Sequence, residues 1–477
     1  MTPGAPAKST AAAPGTPAAR KLDRSLVEGP IAPAVWKMAW PTVLQNAIGG
    51  LQGIIDHVMV GHYVGFTGNA AIGVSWQIFL VVIVFIASLF TGMGVLVARF
   101  AGANEPDKVN RTVYQAFLTA LILSLVVLAP LGYVLSPTLL DLVNATPEVK
   151  TEALPFLRTM FVFSIGMLLF FMLGGALRSA GDARTPLRLG ILMTVLNVAF
   201  NVVLIPGLGP VPAFGTHGAA IGTVSASLIA SSIGLWMLLS GRLVVHFPES
   251  MSRKPDLKII RSLFKFGLPA GIQGVAMNIA GVMLLRYIGS LPHSAQAQAA
   301  YAVGYAELFA LITWTSVGLM GSAAAVAGQN LGAGHPERAI RGVQIAARIG
   351  IGVAAFVGAF FLLIPEHLLA IFGLDDDPAV VALGTQLLRY LCVSGFFITV
   401  ALTYTGGLQG TGDTRGPLYI TLVSQVLVPL GLCATLQSLG RLDAAGVWSA
   451  IVLGHFTRCC LSVLRFRQGK WRHIVVE

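Results

Sequence analysis

The sequence predicts an all-α integral membrane protein in which twelve transmembrane helices form two six-helix lobes, related by a pseudo-two-fold axis along the membrane normal. Three observations support this fold class: an apolar composition, a regular series of long apolar segments, and motifs that occur once in each half of the chain. Of the 477 residues, 55% are hydrophobic and 11% are charged. An average soluble domain carries about 25% charged residues. The composition therefore excludes a soluble enzyme and a nucleic-acid-binding protein.

Twelve apolar segments are each long enough to cross a bilayer as a helix, which takes about 20 residues. A helix satisfies its own backbone hydrogen bonds in lipid, so we interpret each segment as one transmembrane span. The segments lie at about 37–60, 70–98, 113–136, 155–177, 189–206, 217–240, 267–289, 298–327, 343–364, 386–408, 418–437 and 446–464.

These spans divide the chain into five parts. Residues 1–34 are rich in Ala, Pro and Gly and lack the apolar region of a signal peptide, which predicts a disordered cytoplasmic tail. The N-lobe is predicted at 35–240 and the C-lobe at 266–464, joined by a basic cytoplasmic linker at 241–265. The remaining residues, 465–477, form a basic cytoplasmic tail.

The distribution of basic residues predicts the orientation in the membrane. With the N-terminus inside, five of the 31 basic residues fall on the outer side, which leaves 26 on the inner side. This asymmetry follows the positive-inside rule. We therefore predict a multi-pass protein of the cytoplasmic (inner) membrane with both termini in the cytoplasm. The five outer residues are Lys150, Arg158, Arg286, Arg389 and Arg441.

Three motifs repeat in the same order in the two halves. A GD-x-R-x-P pattern follows the fourth span of each half, at 181–186 and 412–417. Two further motifs also repeat, one after the second span and one within the first span of each half. The two copies are separated by 231 residues for GD-x-R-x-P and by 230 and 228 residues for the other two motifs. Six spans per repeat is an even number, so both repeats enter the membrane in the same direction, which predicts a cavity between or within two parallel lobes. The two further motifs pair Gly102-Ala103-Asn104-Glu105-Pro106-Asp107-Lys108 with Gly332-Ala333-Gly334-His335-Pro336-Glu337-Arg338, and Pro41 and Gln45 with Pro269 and Gln273.

Ionisable side chains inside spans are functional candidates because burying a charge in hydrocarbon is costly. Two acids lie well inside spans, Asp56 and Glu307, both in the outer half of the bilayer. Asn197 and Asn201 share one face of span 5 at a comparable depth. A carboxylate with amides nearby can hold Na⁺ through oxygen ligands, or can take up a proton when it is desolvated. A helix cap at Asp56 and ordinary interhelical hydrogen bonds of the two amides are the structural alternatives.

The repeat places the ion site in the first lobe only. The position equivalent to Asp56 is Leu284, and no acid corresponds to the two asparagines. Glu307 corresponds to Gln77, so that position is polar in both lobes. We expect a substrate cavity lined by Gln45, Gln77, Gln273 and Glu307. The sequence has no Walker motif, and we predict no cofactor and no metal beyond a coupling Na⁺ at Asp56, Asn197 and Asn201.

Span 1, with Pro41, Gln45, Asp56 and Gly61, and the GD-x-R-x-P echo together resemble the multidrug and toxic compound extrusion (MATE) family. The resemblance covers about residues 35–464 and is closest to the prokaryotic branch related to DNA-damage-inducible protein F. It implies a secondary antiporter that exports amphipathic, often cationic, drugs or toxic compounds in exchange for H⁺ or Na⁺.

The resemblance also implies roles for particular residues. The family's functional carboxylate in the first helix matches Asp56, and the branch pairs an Asn with an Asp four residues later in the fifth helix. Here that pair is Asn197 and Asn201, so an amide replaces the second acid. With fewer carboxylates to surround Na⁺, H⁺ is the favoured coupling ion.

Four other functions stay open as alternatives. A flippase for a lipid-linked or amphipathic metabolite, of the same superfamily, would need a cavity lined by several Arg or Lys, and the spans appear from the sequence to hold almost no buried bases. A major-facilitator porter would carry a basic loop after the second span, which residues 99–108 do not match. A membrane-embedded enzyme and a channel are each poorly supported by so few polar positions. The expected partners are an amphipathic small molecule and the lipid bilayer, and we expect a monomer.

Overall fold

The computed structural model describes residues 22–248, 251–374 and 377–476. Within these ranges the chain forms twelve helical spans and no β-strand, which confirms the predicted all-α fold. Most spans run several residues beyond the predicted apolar segments, because polar turns at their ends remain helical. The spans are Ile31–Tyr63 (span 1), Phe66–Ala87 with Leu89–Gly102 (span 2), Pro106–Ile122 with Ala129–Leu142 (span 3), Pro147–Val162 with Ser164–Ser179 (span 4), Arg184–Leu204 (span 5), Gly215–Leu239 (span 6), Leu257–Gly289 (span 7), Ser294–Tyr301 with Ala310–Gly332 (span 8), Pro336–Leu363 (span 9), Pro378–Gly410 (span 10), Arg415–Thr421 with Val428–Ser438 (span 11) and Ala444–Arg467 (span 12).

The spans differ in how apolar they are. In the described part of the chain, ten are long and apolar enough to cross a membrane as single helices, and span 4 is an eleventh, bent by 51°. Span 1 is not among them. Its helix is long, but polar side chains interrupt its apolar sequence and face a cavity rather than lipid. These side chains are Gln45, Asn46, Gln52, Asp56 and His57.

Short π-helical segments interrupt spans 3, 8 and 11. They cover Leu123–Leu128, Ala302–Leu308 and Leu422–Leu427. In spans 3 and 11 a proline, Pro130 or Pro429, follows two residues after the segment ends. A proline ring lacks an N–H and clashes with the carbonyl four residues earlier, so the wider turn accommodates it without breaking the span. For the segment in span 8 we have no such explanation.

The two lobes meet most closely at the end of the bundle that carries both chain termini, which we call the terminal face. The ends of spans 2 and 8 at this face cross through two glycines. A Cβ on Gly102 would overlap the Gln329 carbonyl, and a Cβ on Gly332 would overlap the Arg99 carbonyl. The two contacts are reciprocal because the glycines occupy equivalent positions of the repeat. The lobes are therefore in backbone contact at this face.

The GD-x-R-x-P motif forms the tight connection between two spans in each lobe. Gly181 and Gly412 have φ values of 99° and 101°, in the region that favours glycine. The aspartate that follows caps the next helix: Asp182 Oδ1 accepts from the Thr185 amide, and Asp413 Oδ1 accepts from the Gly416 amide. The motif is thus a structural element of the fold.

Parts of the predicted tails and linker are packed against the spans. The prediction of a disordered tail to residue 34 is wrong for its last part, since Arg24–Leu26 is a 3₁₀ turn with Leu26 buried, while residues 1–21 lie outside the described residues. Near the C-terminus, Trp471 is fully buried. In the linker, Gln115 of span 3 donates to the Lys254 carbonyl at 2.9 Å. The two terminal segments are ordered because each buries an apolar side chain, Leu26 or Trp471, against the end of the bundle.

We predict that Gly102→Ala and Gly332→Ala each destabilise the protein by about 1–3 kcal/mol, the usual cost of overpacking. Gly352→Ala is the matched control, because a Cβ there meets no atom within 4 Å and alanine is the better helix former. Thermal unfolding of the purified protein in detergent measures the three effects. Equal melting temperatures for all three variants would contradict close backbone contact at the terminal face.

Candidate functional site

A cavity of about 730 Å³ lies between the lobes, with most of its wall supplied by the N-lobe. Span 1 contributes the largest share of the polar lining, and spans 2 and 4 contribute aromatic side chains. The C-lobe closes one side with residues of spans 8 and 10. A mixed polar and aromatic wall of this size suits an amphipathic small molecule. The aromatic residues of the wall are Trp76, Phe90, Phe156, Phe170, Phe171 and Trp314.

Asp56, one of the predicted ion-coupling residues, lines this cavity in the half away from the terminal face. Its Oδ1 accepts a hydrogen bond of 2.6 Å from Nδ2 of Asn201. Asn201 Nδ2 also lies 3.4 Å from Oδ1 of Asn197, whose own Nδ2 donates to Thr223 Oγ1 at 3.0 Å. The structure therefore brings Asp56, Asn197 and Asn201 together in one chain of hydrogen bonds between spans 1, 5 and 6.

Burial makes this chain of hydrogen bonds costly to disturb. Asn197 and Asn201 are fully buried. The Asn201 Oδ1 atom is buried without a hydrogen-bond partner and packs against the backbone of span 6 at Gly222. A buried acceptor without a donor costs about 1–3 kcal/mol. Asn201 therefore has an acceptor atom without a hydrogen-bond partner among the described residues.

A second polar group lies at the end of the cavity near the terminal face. Arg178 of span 4 lines the cavity, and its Nη1 donates to Gln45 Oε1 at 3.0 Å. The equivalent pair in the C-lobe is Gln409 and Gln273, in which Gln409 Nε2 donates to Gln273 Oε1 at 3.3 Å. The repeat thus conserves this hydrogen bond between its first and fourth spans, with a charged donor in one lobe and a neutral donor in the other.

Sequence reasoning missed Arg178 because the predicted fourth span ended at residue 177, which assigned the arginine to a loop. One signal was available: positions 178 and 409 are equivalent in the repeat and both polar, as are positions 45 and 273. Two polar pairs at matching positions indicate a contact that both lobes make.

The other residues expected in the cavity lie elsewhere. Gln77 is exposed on the surface of span 2, and Glu307 is partly buried in the π-helical segment of span 8. Gln273 lies behind Gln409, where its Nε2 donates to Thr421 Oγ1 at 2.9 Å. Of the four residues predicted to line a cavity, the structure places Gln45 in this one.

The expectation that the spans hold almost no buried bases is wrong. Arg178 faces the cavity, and Arg458 of span 12 is 2% exposed inside the C-lobe. Around Arg458, the C-lobe interior is aromatic, with Tyr301 stacked on Tyr305 at 5.0 Å between ring centroids. Arg458 escaped notice because a single arginine within the predicted span 446–464 does not show which side of the helix it occupies.

No group of three or more His, Cys, Asp or Glu side chains with the geometry of a metal site occurs in the ranges that the structure describes. The polar groups at Asp56 are one carboxylate and neutral amides and hydroxyls. Such a set can bind and release a proton or a monovalent cation.

Comparison with known proteins gives a consistent assignment. The family model MatE matches residues 41–203 and 269–435, one match in each lobe. The chain is 25% identical to the probable multidrug resistance protein NorM of Thermotoga maritima over 447 residues, covering 91% of this chain and 92% of that protein. It is also 25% identical over 443 residues to the multidrug resistance protein MdtK of Pectobacterium atrosepticum, covering 90% of this chain and 94% of that protein.

The fold also matches solved structures. A multidrug resistance MATE family transporter in an outward-facing conformation superimposes with a TM-score of 0.87 at 20% sequence identity. The match covers 96% of this chain and 100% of that one. At this identity the similarity establishes the twelve-helix architecture.

We predict that Thr223→Val lowers the free energy of unfolding by about 1–3 kcal/mol, because it leaves the buried Asn197 amide without its acceptor. Adding Asn197→Leu removes both partners, so the double variant loses less stability than the sum of the two single variants. Denaturant titration of the purified protein measures the cycle. Additive losses would show that the Asn197–Thr223 hydrogen bond is not formed.

Proposed function

The chain belongs to the MatE family of multidrug efflux transporters, and we propose that it is a secondary active antiporter that exports amphipathic compounds across the cytoplasmic membrane in exchange for H⁺ or Na⁺. Members of this family are membrane transporters rather than enzymes. One observation carries the proposal: Asp56 lines the cavity between the lobes, and among the described residues the side-chain donor to its carboxyl group is Asn201.

An ion and a substrate can compete at this position. A charged carboxylate within a span is costly, so binding a proton or a cation stabilises Asp56 when the cavity is closed to water. A substrate in the same cavity changes the surroundings of the same carboxyl group. A ligand can shift the balance between two conformations only by binding one of them more tightly. In our proposal Asp56 provides this difference in affinity, because binding of a proton or cation neutralises it and so stabilises the conformation in which the cavity is closed to water.

Asn201 suits a carboxyl group that changes its protonation state. An amide has a donor nitrogen and an acceptor oxygen on the same carbon. In the orientation described, Asn201 donates to the carboxylate of Asp56 and leaves Oδ1 without a partner. A half-turn of the amide would present Oδ1 to Asp56 instead, where it could accept from a protonated carboxyl group. We therefore favour H⁺ as the coupling ion.

Sodium is the alternative coupling ion. Hard cations in proteins take several oxygen ligands. Near Asp56 the described side chains offer the Oδ1 atoms of Asn197 and Asn201 and the Oγ1 of Thr223, and hydrogen bonds already engage two of these three. This leaves few ligands for Na⁺, which supports the choice of H⁺.

The orientation of the protein follows from its charges. The terminal face carries most basic residues, so we place it in the cytoplasm with both termini. The lobes are in backbone contact at that face, so we propose that the cavity is closed to the cytoplasm in this conformation. We further propose that one chain suffices for transport, because the cavity is formed within a single monomer.

A flippase for an anionic amphipathic metabolite is the second candidate. Arg178 favours it, because a base in the cavity would attract an anionic headgroup. Arg178 is the one Arg or Lys that lines the cavity in the described part of the chain, whereas such a flippase is expected to need several. Export of small amphipathic compounds is therefore the better-supported function.

We predict that Asp56→Asn reduces ion-driven export by about tenfold or more, since an uncharged side chain cannot bind the coupling ion differently in two states. The assay is uptake of a fluorescent organic cation into inverted vesicles under separately imposed pH and sodium gradients. Glu307→Gln is the matched control, because it neutralises an intramembrane acid outside the cavity. Full transport by Asp56→Asn, or an equal loss in both variants, would contradict the assignment.

We also predict that a green fluorescent protein fused to the C-terminus fluoresces, because it folds in the cytoplasm. An alkaline phosphatase fused at the same point stays inactive for the same reason. Paired measurements in one host strain check the orientation. An active phosphatase with a dark fluorescent fusion would reverse the proposed topology.

A further inference from the structure

We infer that the end of the cavity near the terminal face is a binding subsite for an anionic group of the substrate, such as a carboxylate, with Arg178 as its cationic ligand. The inference deepens the proposed function and depends on it, because it concerns the same cavity. It assigns a preferred substrate class: amphipathic molecules that carry an acid, most simply zwitterions, which the cavity would bind more tightly than plain organic cations.

The guanidinium of Arg178 is available to a ligand. Its side chain is partly exposed and lines the cavity. It makes one hydrogen bond, from Nη1 to the neutral Gln45, and it forms no ion pair with any acid in the described ranges. Most of the N–H donors of the guanidinium therefore have no protein partner. A guanidinium with free N–H groups is well suited to bidentate binding of a carboxylate.

No acid of the cavity can serve as the internal partner of Arg178. Among the described residues that line the cavity, the acid is Asp56. It lies eleven residues beyond Gln45 on span 1, which corresponds to about 16 Å along the helix. The cavity thus has a positive end and a negative end, separated by an aromatic wall. An unpaired charge within a span is costly, so a counter-charge from the substrate would stabilise it.

The repeat argues that the charge of Arg178 is not needed for structure. In the C-lobe, Gln409 takes the equivalent position and donates to Gln273 as Arg178 donates to Gln45. A neutral amide is therefore sufficient for this interhelical hydrogen bond. The guanidinium of Arg178 adds a positive charge that the neutral C-lobe pair lacks, and this charge faces the cavity. Further donors at the same end are Thr91, Ser179 and Gln409.

The arrangement predicts how a substrate lies in the cavity. Its acid group binds Arg178 near the terminal face, and its apolar body contacts the aromatic side chains between the two ends. A cationic group, where present, points towards Asp56 and is favoured when that carboxyl group is charged. A plain organic cation would meet Arg178 as a like charge and would bind only in the outer part of the cavity.

The test compares two probes that differ only in the acid group: a zwitterionic rhodamine with a free carboxylate, and its methyl ester, which is a cation. Binding to the purified, detergent-solubilised protein is measured by fluorescence polarisation. We expect the wild type to bind the zwitterion more tightly than the ester. In Arg178→Gln, which installs the residue of the equivalent position in the repeat, the ratio of the two affinities falls by about tenfold.

Two further variants complete the test. Arg178→Lys keeps the charge but not the bidentate geometry, so its affinity ratio lies between those of the wild type and Arg178→Gln. Arg188→Gln removes an exposed arginine of span 5 that does not line the cavity, and its ratio equals that of the wild type.

Two results would overturn the inference: a wild type that does not prefer the zwitterion, or an unchanged affinity ratio in Arg178→Gln, whether both affinities stay the same or fall equally. The proposed function is tested separately by export. If the wild type exports the ester but Arg178 has no effect on the ratio, antiport stands and the subsite is wrong. If the ratio falls as expected but an imposed ion gradient drives neither probe, the subsite stands and the antiport mechanism is wrong.

Discussion

The hydrogen bond between Asn201 and Asp56 is the interaction on which the organisation of the N-lobe depends. It places the carboxyl group of span 1 against span 5 in the half of the bundle away from the terminal face, where lipid surrounds the outside and a cavity opens on the inside. A carboxyl group at this depth needs a hydrogen-bond donor or a polar cavity. The amide of Asn201 provides the first, and the polar face of span 1 provides the second. This requirement explains why the first helix is the least typical membrane span of the chain.

The two lobes share a fold, but most of the polar side chains that line the cavity belong to the N-lobe. Both retain the glycine and aspartate of the inter-span connection and the hydrogen bond between their first and fourth spans. The cavity, in contrast, is built mainly from the N-lobe, while the C-lobe interior is filled with stacked aromatic rings around a buried arginine. The repeated motifs account for the common architecture of the lobes. The side chains that differ between the repeats account for the asymmetry of the cavity.

The sequence was sufficient for the fold and for part of the site, for physical reasons that can be named. Long apolar segments and a repeat with a nearly constant offset predict spans and lobes, because both are properties of many residues together. Asp56 and the span 5 amides were recognisable because polar groups at that depth are rare. Arg178 and Arg458 were not. Arg178 directly follows the predicted fourth segment, and the sequence around Arg458 does not show which side of its helix is buried, so only the packed helices reveal their positions. The sequence also did not show that Gln77 lies on the exposed side of span 2, because one polar residue on a nearly uniformly apolar helix does not indicate which side of that helix lines the cavity.

At the terminal face, the N-terminal segment contacts the C-lobe and the C-terminal segment contacts the N-lobe. The Leu26 carbonyl, at the N-terminal end, accepts from Asn330 of the C-lobe, and the Ile474 carbonyl, at the C-terminal end, accepts from Arg99 of the N-lobe. Separation of the lobes on this side would therefore strain or release both ends of the polypeptide at once. In the antiport mechanism that we propose, the rate at which the lobes separate on this side would then depend partly on residues outside every span.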